Sequence, residues 1–241
     1  RRSSVRIRSG PQMAKQHIVL KLGGSLVIPR DIDISYLKKF RDLIRKHIRQ
    51  GKRFVIIVGG GYTNRWYRDS AKAAGVKDIT DLHWIGTFST RLNAELVRIV
   101  LGELAHPEAY FDYKKPITWR KPVLVAGGYK PGTSTDYVAV LMARKFKVKN
   151  IINMTNVDGL YTKDPKRFKE AEPIKEISWK DYRRMFGNSR RHLPGENVPI
   201  DAVAALTSQK YKLETFYIGG KNLSNLDRLL SGKSWKGTRI Y

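Results

Sequence analysis

Short apolar runs alternate along the chain with longer segments whose apolar residues recur at helical spacing. His17 to Leu22 is apolar enough for a buried strand and stops at Gly23-Gly24-Ser25. In "ISYLKKFRDLIRKHIRQG", Leu37, Phe40, Ile44 and Ile48 share one helical face. Lys38, Lys39, Arg41, Arg45, Lys46 and Arg49 take the other face, and Gly51 marks the stop. "RFVIIVGGG" reads as a second strand ending in glycines, followed by a helix pattern through "TNRWYRDSAKAAG". "TRLNAELVRIVLGELA" predicts another helix. "KPVLVAGG", "KNIINMTN" and "LETFYIGG" are further short strands, with helix-like segments at 135–147, 178–186 and 200–212.

Strand alternating with helix, with glycine-rich turns after the strands, argues an α/β protein with a mainly parallel sheet. Ligands of such sheets sit beyond the carboxyl ends of the strands. The informative loops are therefore Gly23–Ser25, Gly59–Arg65, Gly127–Asp136 and Thr155–Asp164. No long linker, low-complexity tract or clear internal repeat is visible, so residues 13–241 read as one domain. "RRSSVRIRSGPQ" (1–12) differs: it carries four arginines and no acid, and reads as a disordered N-terminal extension.

Composition narrows the function classes. Hydrophobic residues make up 41% and charged residues 28%, ordinary for a soluble globular protein, and no apolar run is long enough to span a membrane. Cysteine is absent, which removes disulfides, thiol nucleophiles and Cys metal sites and fits a cytoplasmic protein. The net charge of +26 invites a polyanionic partner, but the basic residues are scattered. Nucleic acid is expected only as non-specific electrostatic binding.

The loops carry the candidate chemistry. Three glycine turns each follow a strand, where bare backbone N–H groups can approach phosphate oxygens and a following helix N-terminus adds positive potential. None is a standard P-loop: "SGKS" (231–234) would need Gly where Asp227 stands. "GGGYTNR" has Asn64 where the dinucleotide fingerprint needs its third glycine. Lys21 lies in an apolar strand two residues before the first glycines. It is a cation for a transferring phosphate, half of a buried ion pair, or a strand-end lysine reaching water. Arg65, near the start of a helix, can grip phosphate bidentately or simply be exposed. "GYKPGTSTD" combines a Pro-Gly turn with Thr133, Ser134 and Thr135 ahead of Asp136, and Asp201 precedes a later helix. Either acid can organise phosphoryl transfer or cap its helix. No HExxH, other metal-site spacing or Gly-x-Ser-x-Gly elbow is present.

These loops, in this order, resemble the amino-acid-kinase superfamily and, within it, the uridylate (UMP) kinases of the archaeal type. "KLGGSL" (21–26), "VGGGYTNRWY" (58–67), "GTFSTRLNAELV" (86–97), "AGGYKPGTSTD" (126–136), "TNVDGLYTKDP" (155–165) and "PIDAVAA" (199–205) carry the resemblance. It implies a three-layer αβα sandwich of the carbamate-kinase-like kind, with a sheet of about eight strands. It also implies transfer of the ATP γ-phosphate to UMP, Mg²⁺ carried by nucleotide phosphates, and a homohexamer. By position, Lys21 would neutralise the transferring phosphoryl, while Asp136 and Asp201 would order lysine and metal. ATP would be held by Gly23, Gly24, Ser25, Gly61, Arg65, Thr155, Asn156, Tyr161 and Asp164. UMP would be held by Gly60, His83 and the loop Tyr129, Lys130, Pro131, Gly132, Thr133, Ser134 and Thr135.

One departure bears on the acceptor. His83 stands where the family pattern has an aspartate that contacts the UMP ribose. Ionised carboxylate accepts hydroxyl hydrogen bonds, whereas neutral histidine offers one acceptor and one donor. Asp81, two residues away, substitutes only if the local register shifts. The alternatives to a UMP kinase are a same-fold kinase with another small acceptor and a catalytically weak anion-binding, nucleic-acid-binding or storage assembly.

Overall fold

The computed structural model describes residues 17–163, 165, 168–187 and 198–241. The segment 1–12 and the ATP-site candidate Asp164 lie outside the described residues.

The first half runs β1 (His17–Leu22), α1 (Gly24–Val27), α2 (Ile34–Arg49), β2 (Arg53–Val58), α3 (Gly61–Ala73), α4 (Ile79–Leu101) and β3 (Val123–Ala126). It continues with α5 (Thr135–Lys145), β4 (Asn150–Thr155), β5 (Leu160–Tyr161), β6 (Pro173–Ile174), β7 (Glu176–Ile177) and α6 (Trp179–Phe186). The chain closes with α7 (Ala202–Lys210), β8 (Glu214–Gly219), α8 (Leu223–Leu230) and β9 (Thr238–Ile240). Among the described residues the main sheet has seven strands, one fewer than expected, in the order β3-β2-β1-β4-β8-β9-β7. Its strands pair in parallel except where β9 meets β8. β5 and β6 form a separate antiparallel pair.

Strand alternation sorts the core into two layers. In β1, Ile18, Leu20 and Leu22 point to the layer that holds Phe40 and Ile44 of α2, Val97 of α4 and Leu226 of α8. Val19 points the other way, toward Val138 and Met142 of α5, Tyr182 of α6 and Ala204 of α7. Both faces of the sheet are therefore covered, as an αβα sandwich requires. Each fully buried Leu or Ile contributes about 1.5–3 kcal/mol relative to leaving it exposed. Lys21 shares its strand face with Val19, and that parity aims it at α5.

α4 begins at Ile79, eleven residues before the predicted helix, with Asp78 accepting from the Thr80 N–H at 2.6 Å. Its early apolar residues Ile79, Trp84 and Phe88 stay exposed, which blurs the amphipathic signal there. α8 was not legible as a helix.

Candidate active site

The first two glycine turns meet as backbone on backbone. A Cβ on Gly24 would sit 2.1 Å from the Gly61 amide nitrogen and 2.4 Å from the Gly59 oxygen. Gly61 has φ +59°, and a Cβ there would meet the Gly24 oxygen at 2.4 Å. These glycines are required by the crossing itself, whatever they bind. Asn93 of α4 fixes the second turn, donating through Nδ2 to the Gly59 and Gly60 carbonyls at 2.9 Å each.

At the carboxyl end of β1, Lys21 Nζ lies 2.8 Å from Asp136 Oδ1, both side chains being largely buried. Asn153 of β4, the register partner of Lys21, donates to the same Oδ1 at 2.9 Å. Asp136 therefore does not cap α5. That role belongs to Ser134, which accepts from the Tyr137 N–H at 2.9 Å. Ser134 also bonds Asp201 Oδ2. Asp201 does cap its helix, with Oδ1 accepting from the Val203 and Ala204 N–H groups at 2.9 and 3.1 Å. The two acids are thus joined through the start of α5, and the capping reading of Asp201 holds.

Asp136 forms part of the wall of a cleft of about 320 Å³ that includes Gly60, Gly61, Asn64, Arg65, Arg68, His83, Thr87 and Gly128. Thr133, Ser134 and Thr135 complete the wall, whereas Tyr129, Lys130, Pro131 and Gly132 lie outside it. Thr133 closes their turn, its hydroxyl donating to the Lys130 carbonyl at 2.6 Å. Arg91 holds the loop from behind, donating to the Gly128 and Tyr129 carbonyls at 3.0 and 2.6 Å. Thr90 Oγ1 accepts from the Gly128 N–H at 2.8 Å, and Tyr113 donates to the Gly127 carbonyl at 2.5 Å. Burial raises the Tyr113 hydroxyl pKa and keeps it a donor. Arg65 reaches Ser25 Oγ at 3.2 Å, tying the first turn to this cleft. Gly23 and Gly24 line neither this cleft nor the next. His83 faces the cleft from α4, and Asp81 does not. Because α4 is continuous from Ile79, no register shift brings Asp81 in.

A second cleft of about 460 Å³ lies beyond β4 and β8, with Asn156, Tyr161, Lys163 and Tyr217 in its wall. Thr155 ends β4 beside it, its Oγ1 accepting from the Val157 N–H at 3.2 Å. Burial, with the Asp136 charge adding to it, pushes Tyr217 up to about 12, against a lowering hydrogen bond to Thr155. Asp136 lines the first cleft only. Among the described residues no three or more His, Asp or Glu side chains gather as a metal cluster.

Thr90, Arg91, Asn93 and Asn153, together with Asn64 and Arg68, escaped the sequence reading as site residues. Polar residues punctuating a buried helix face were the available signal in "TRLNA".

The amino acid kinase family model matches residues 16–216. A uridylate kinase of Thermococcus kodakarensis is 33% identical over 218 residues, covering 90% of this chain and 96% of its own. One from Methanosarcina barkeri is 31% identical over 225 residues, 92% of this chain and 95% of its own. The crystal structure of uridylate kinase from Archaeoglobus fulgidus superposes with a TM-score of 0.77 at 32% identity, covering 93% of this chain and 99% of that one.

Proposed function

The chain belongs to the amino acid kinase family, and we propose that within it this protein is a uridylate kinase, transferring the γ-phosphate of ATP to UMP to give UDP. The observation that carries the reading is the Lys21–Asp136 pair, whose carboxylate residue lines the first cleft. UMP occupies the cleft of Thr133–Thr135, whose wall also includes Gly61 and Arg65, expected from the resemblance at the ATP phosphates, and ATP occupies the cleft of Asn156 and Tyr161. The resemblance to archaeal uridylate kinases over nine-tenths of the chain supports the acceptor.

Phosphoryl transfer needs alignment and charge neutralisation more than covalent chemistry. Lys21 meets the transferring group from the end of β1. Asp136 holds the ammonium in place at 2.8 Å, and Asn153 holds Asp136. Arg65 and the Gly59–Gly61 turn neutralise phosphate oxygens with charge and bare N–H groups. Mg²⁺ arriving on the nucleotide phosphates supplies further neutralisation. Asp136 would meet such a cation from the cleft wall, its Oδ1 being engaged by Lys21 and Asn153, whereas both oxygens of buried Asp201 are taken by Ser134 and by the Val203 and Ala204 N–H groups.

Residues 13–241 act as one catalytic domain behind an N-terminal extension, in the cytoplasm. No helix among the described residues is long and apolar enough to cross a membrane. The assembly is a homohexamer: Trp66 of α3 and Leu92 of α4 are 58% and 62% exposed beside an apolar groove, a surface suited to burial between copies.

The test is ATP-dependent ADP production with Mg²⁺ against UMP, CMP, dTMP, AMP, GMP, isopentenyl phosphate and N-acetylglutamate. Strong preference for UMP is expected. Turnover of another acceptor alone would retain the transfer site and overturn the substrate, and silence from folded, ATP-binding protein would overturn the activity.

A further inference from the structure

The amino ends of the strands carry a further cavity that shares no residue with either nucleotide cleft. Its volume is about 490 Å³, and Lys52, Phe146, Lys147, Lys149 and Phe216 are among the residues that line it. Lys52 immediately precedes β2, and residues 146–149 join α5 to β4. His17, the first residue of β1, also lines it; Lys21 stands four residues further on, about 13 Å along the strand, toward the opposite end of the sheet. Small-ligand sites typically enclose about 300–1,000 Å³.

The wall of this cavity divides by chemistry. No acid lines it, and among the described residues Lys52, Lys147 and Lys149 form no ion pair. Lys52 Nζ donates only across a long 3.4 Å contact to the Gln50 amide oxygen. Lys147 and Lys149 are exposed, so their ammonium groups can turn toward a ligand at the mouth. The floor is apolar: Ile18, Ile152 and Leu230 are buried, whereas Phe146 and Phe216 are only half-buried. Lys147 also stands where its backbone is strained. It follows the end of α5 at φ +55°, in the left-handed region where helix ends usually place glycine.

A cationic rim over an apolar floor is the complement of an anion with an apolar body. We propose that this cavity is a separate ligand site, for a small molecule that joins a cluster of phosphates to an aromatic or apolar body. Lys52, Lys147 and Lys149 take the phosphates, and Phe146 and Phe216 pack against the body.

The experiment is calorimetric titration of the full chain with ATP, and separately with inorganic tripolyphosphate, for wild type and two double variants. Lys147→Gly with Lys149→Gln removes charge from the cavity, and Lys38→Gln with Lys39→Gln removes the same charge from the exposed face of α2. The cavity variant should lose one ATP site per chain, its affinity falling about tenfold or more, while the α2 variant keeps that site. Lys52→Gln, which leaves the α5 turn untouched, should weaken the same site. Tripolyphosphate, lacking the body, should bind there about tenfold more weakly than ATP. The cavity variant should keep the wild-type kcat and KM values and melt at or above wild type, since glycine relaxes the turn at position 147. The same sites and affinities in wild type and in the cavity and Lys52→Gln variants overturn the proposal. An equal loss in the cavity and α2 variants overturns it too, as attraction by net charge alone. Tripolyphosphate bound as tightly as ATP overturns the ligand class.

Discussion

Replacing Asp136 by asparagine removes a charge while keeping the shape of the side chain. The amide oxygen can still accept from Asn153 and Lys21, which now lie 2.9 and 2.8 Å from Oδ1. Two unit charges at that separation attract by about 6 kcal/mol at an effective dielectric of about 20. Desolvation offsets much of this, and the pair opens on a cleft that water enters, so a stability loss of about 1–3 kcal/mol is expected. The cost to catalysis is larger in consequence. An ammonium no longer held by its carboxylate is misplaced for a charge that develops only during transfer. By the scale of lost electrostatic preorganisation, kcat should fall about 10²–10³-fold. Coupled measurement of ADP release gives kcat and KM, while calorimetric titration of ATP and a thermal melt check binding and fold. Combining the change with Lys21→Met should add little to the loss, since the two residues act as a unit. A kcat within about twofold of wild type, from folded protein, would refute the reasoning and leave the ion pair a structural strut.

His83→Asp should lower the KM for UMP by restoring an acceptor on the cleft wall of α4; a constant or higher KM would place the sugar elsewhere. Gly24→Ala should cost about 3 kcal/mol or more, because the Cβ would strike Gly61 nitrogen and Gly59 oxygen, both backbone that cannot rotate away; a thermal melt within about 2 °C of wild type would contradict that packing. His47 is fully buried between α2 and α8, with Nε2 at 2.7 Å from Asp227 Oδ1. Burial holds its pKa below the usual value despite that carboxylate, so the unfolded chain takes up the proton first as pH falls. Its contribution is full above about pH 6.5 and is lost as pH falls below it toward the folded value. Melting temperatures at pH 8 and 5.5 should therefore diverge more for wild type than for His47→Gln, and equal slopes would remove His47 as the cause.

Much of the fold was legible because β1, β2, β3, β4 and β8 are continuous apolar runs stopped by glycine or a polar turn. The two- and three-residue strands β5, β6, β7 and β9 are too short to give a period. The first half of α4 was hidden because its apolar residues face outward. At the site, Lys21 stood out as a charge inside a strand, and the hydroxyls of 133–135 as polar residues after a Pro-Gly turn. That Ser134 caps α5 and frees Asp136 for Lys21 depends on a two-residue choice of helix start that sequence signals leave open. Arg91 and Asn93 act on loops, and Asn153 acts on Asp136 in the first turn of α5, partners that only the tertiary fold brings next to them.

The backbone fixes the transfer machinery before any substrate arrives. Gly24 and Gly61 touch without side chains, so the start of α3 is locked to the end of β1, and Arg65 follows to within reach of Ser25. Strand parity aims Lys21 at α5, and the Ser134 cap sets Asp136 in the first turn of that helix to meet it. None of these placements depends on the outer wall of the cleft. His83 lies on a helix face that can change residue without moving the glycine crossing or the ion pair. Acceptor selection is thus separable from phosphoryl transfer in this architecture. Substitutions at His83 should redistribute activity among acceptors, whereas substitutions at Lys21 and Asp136 should lower it for all of them alike.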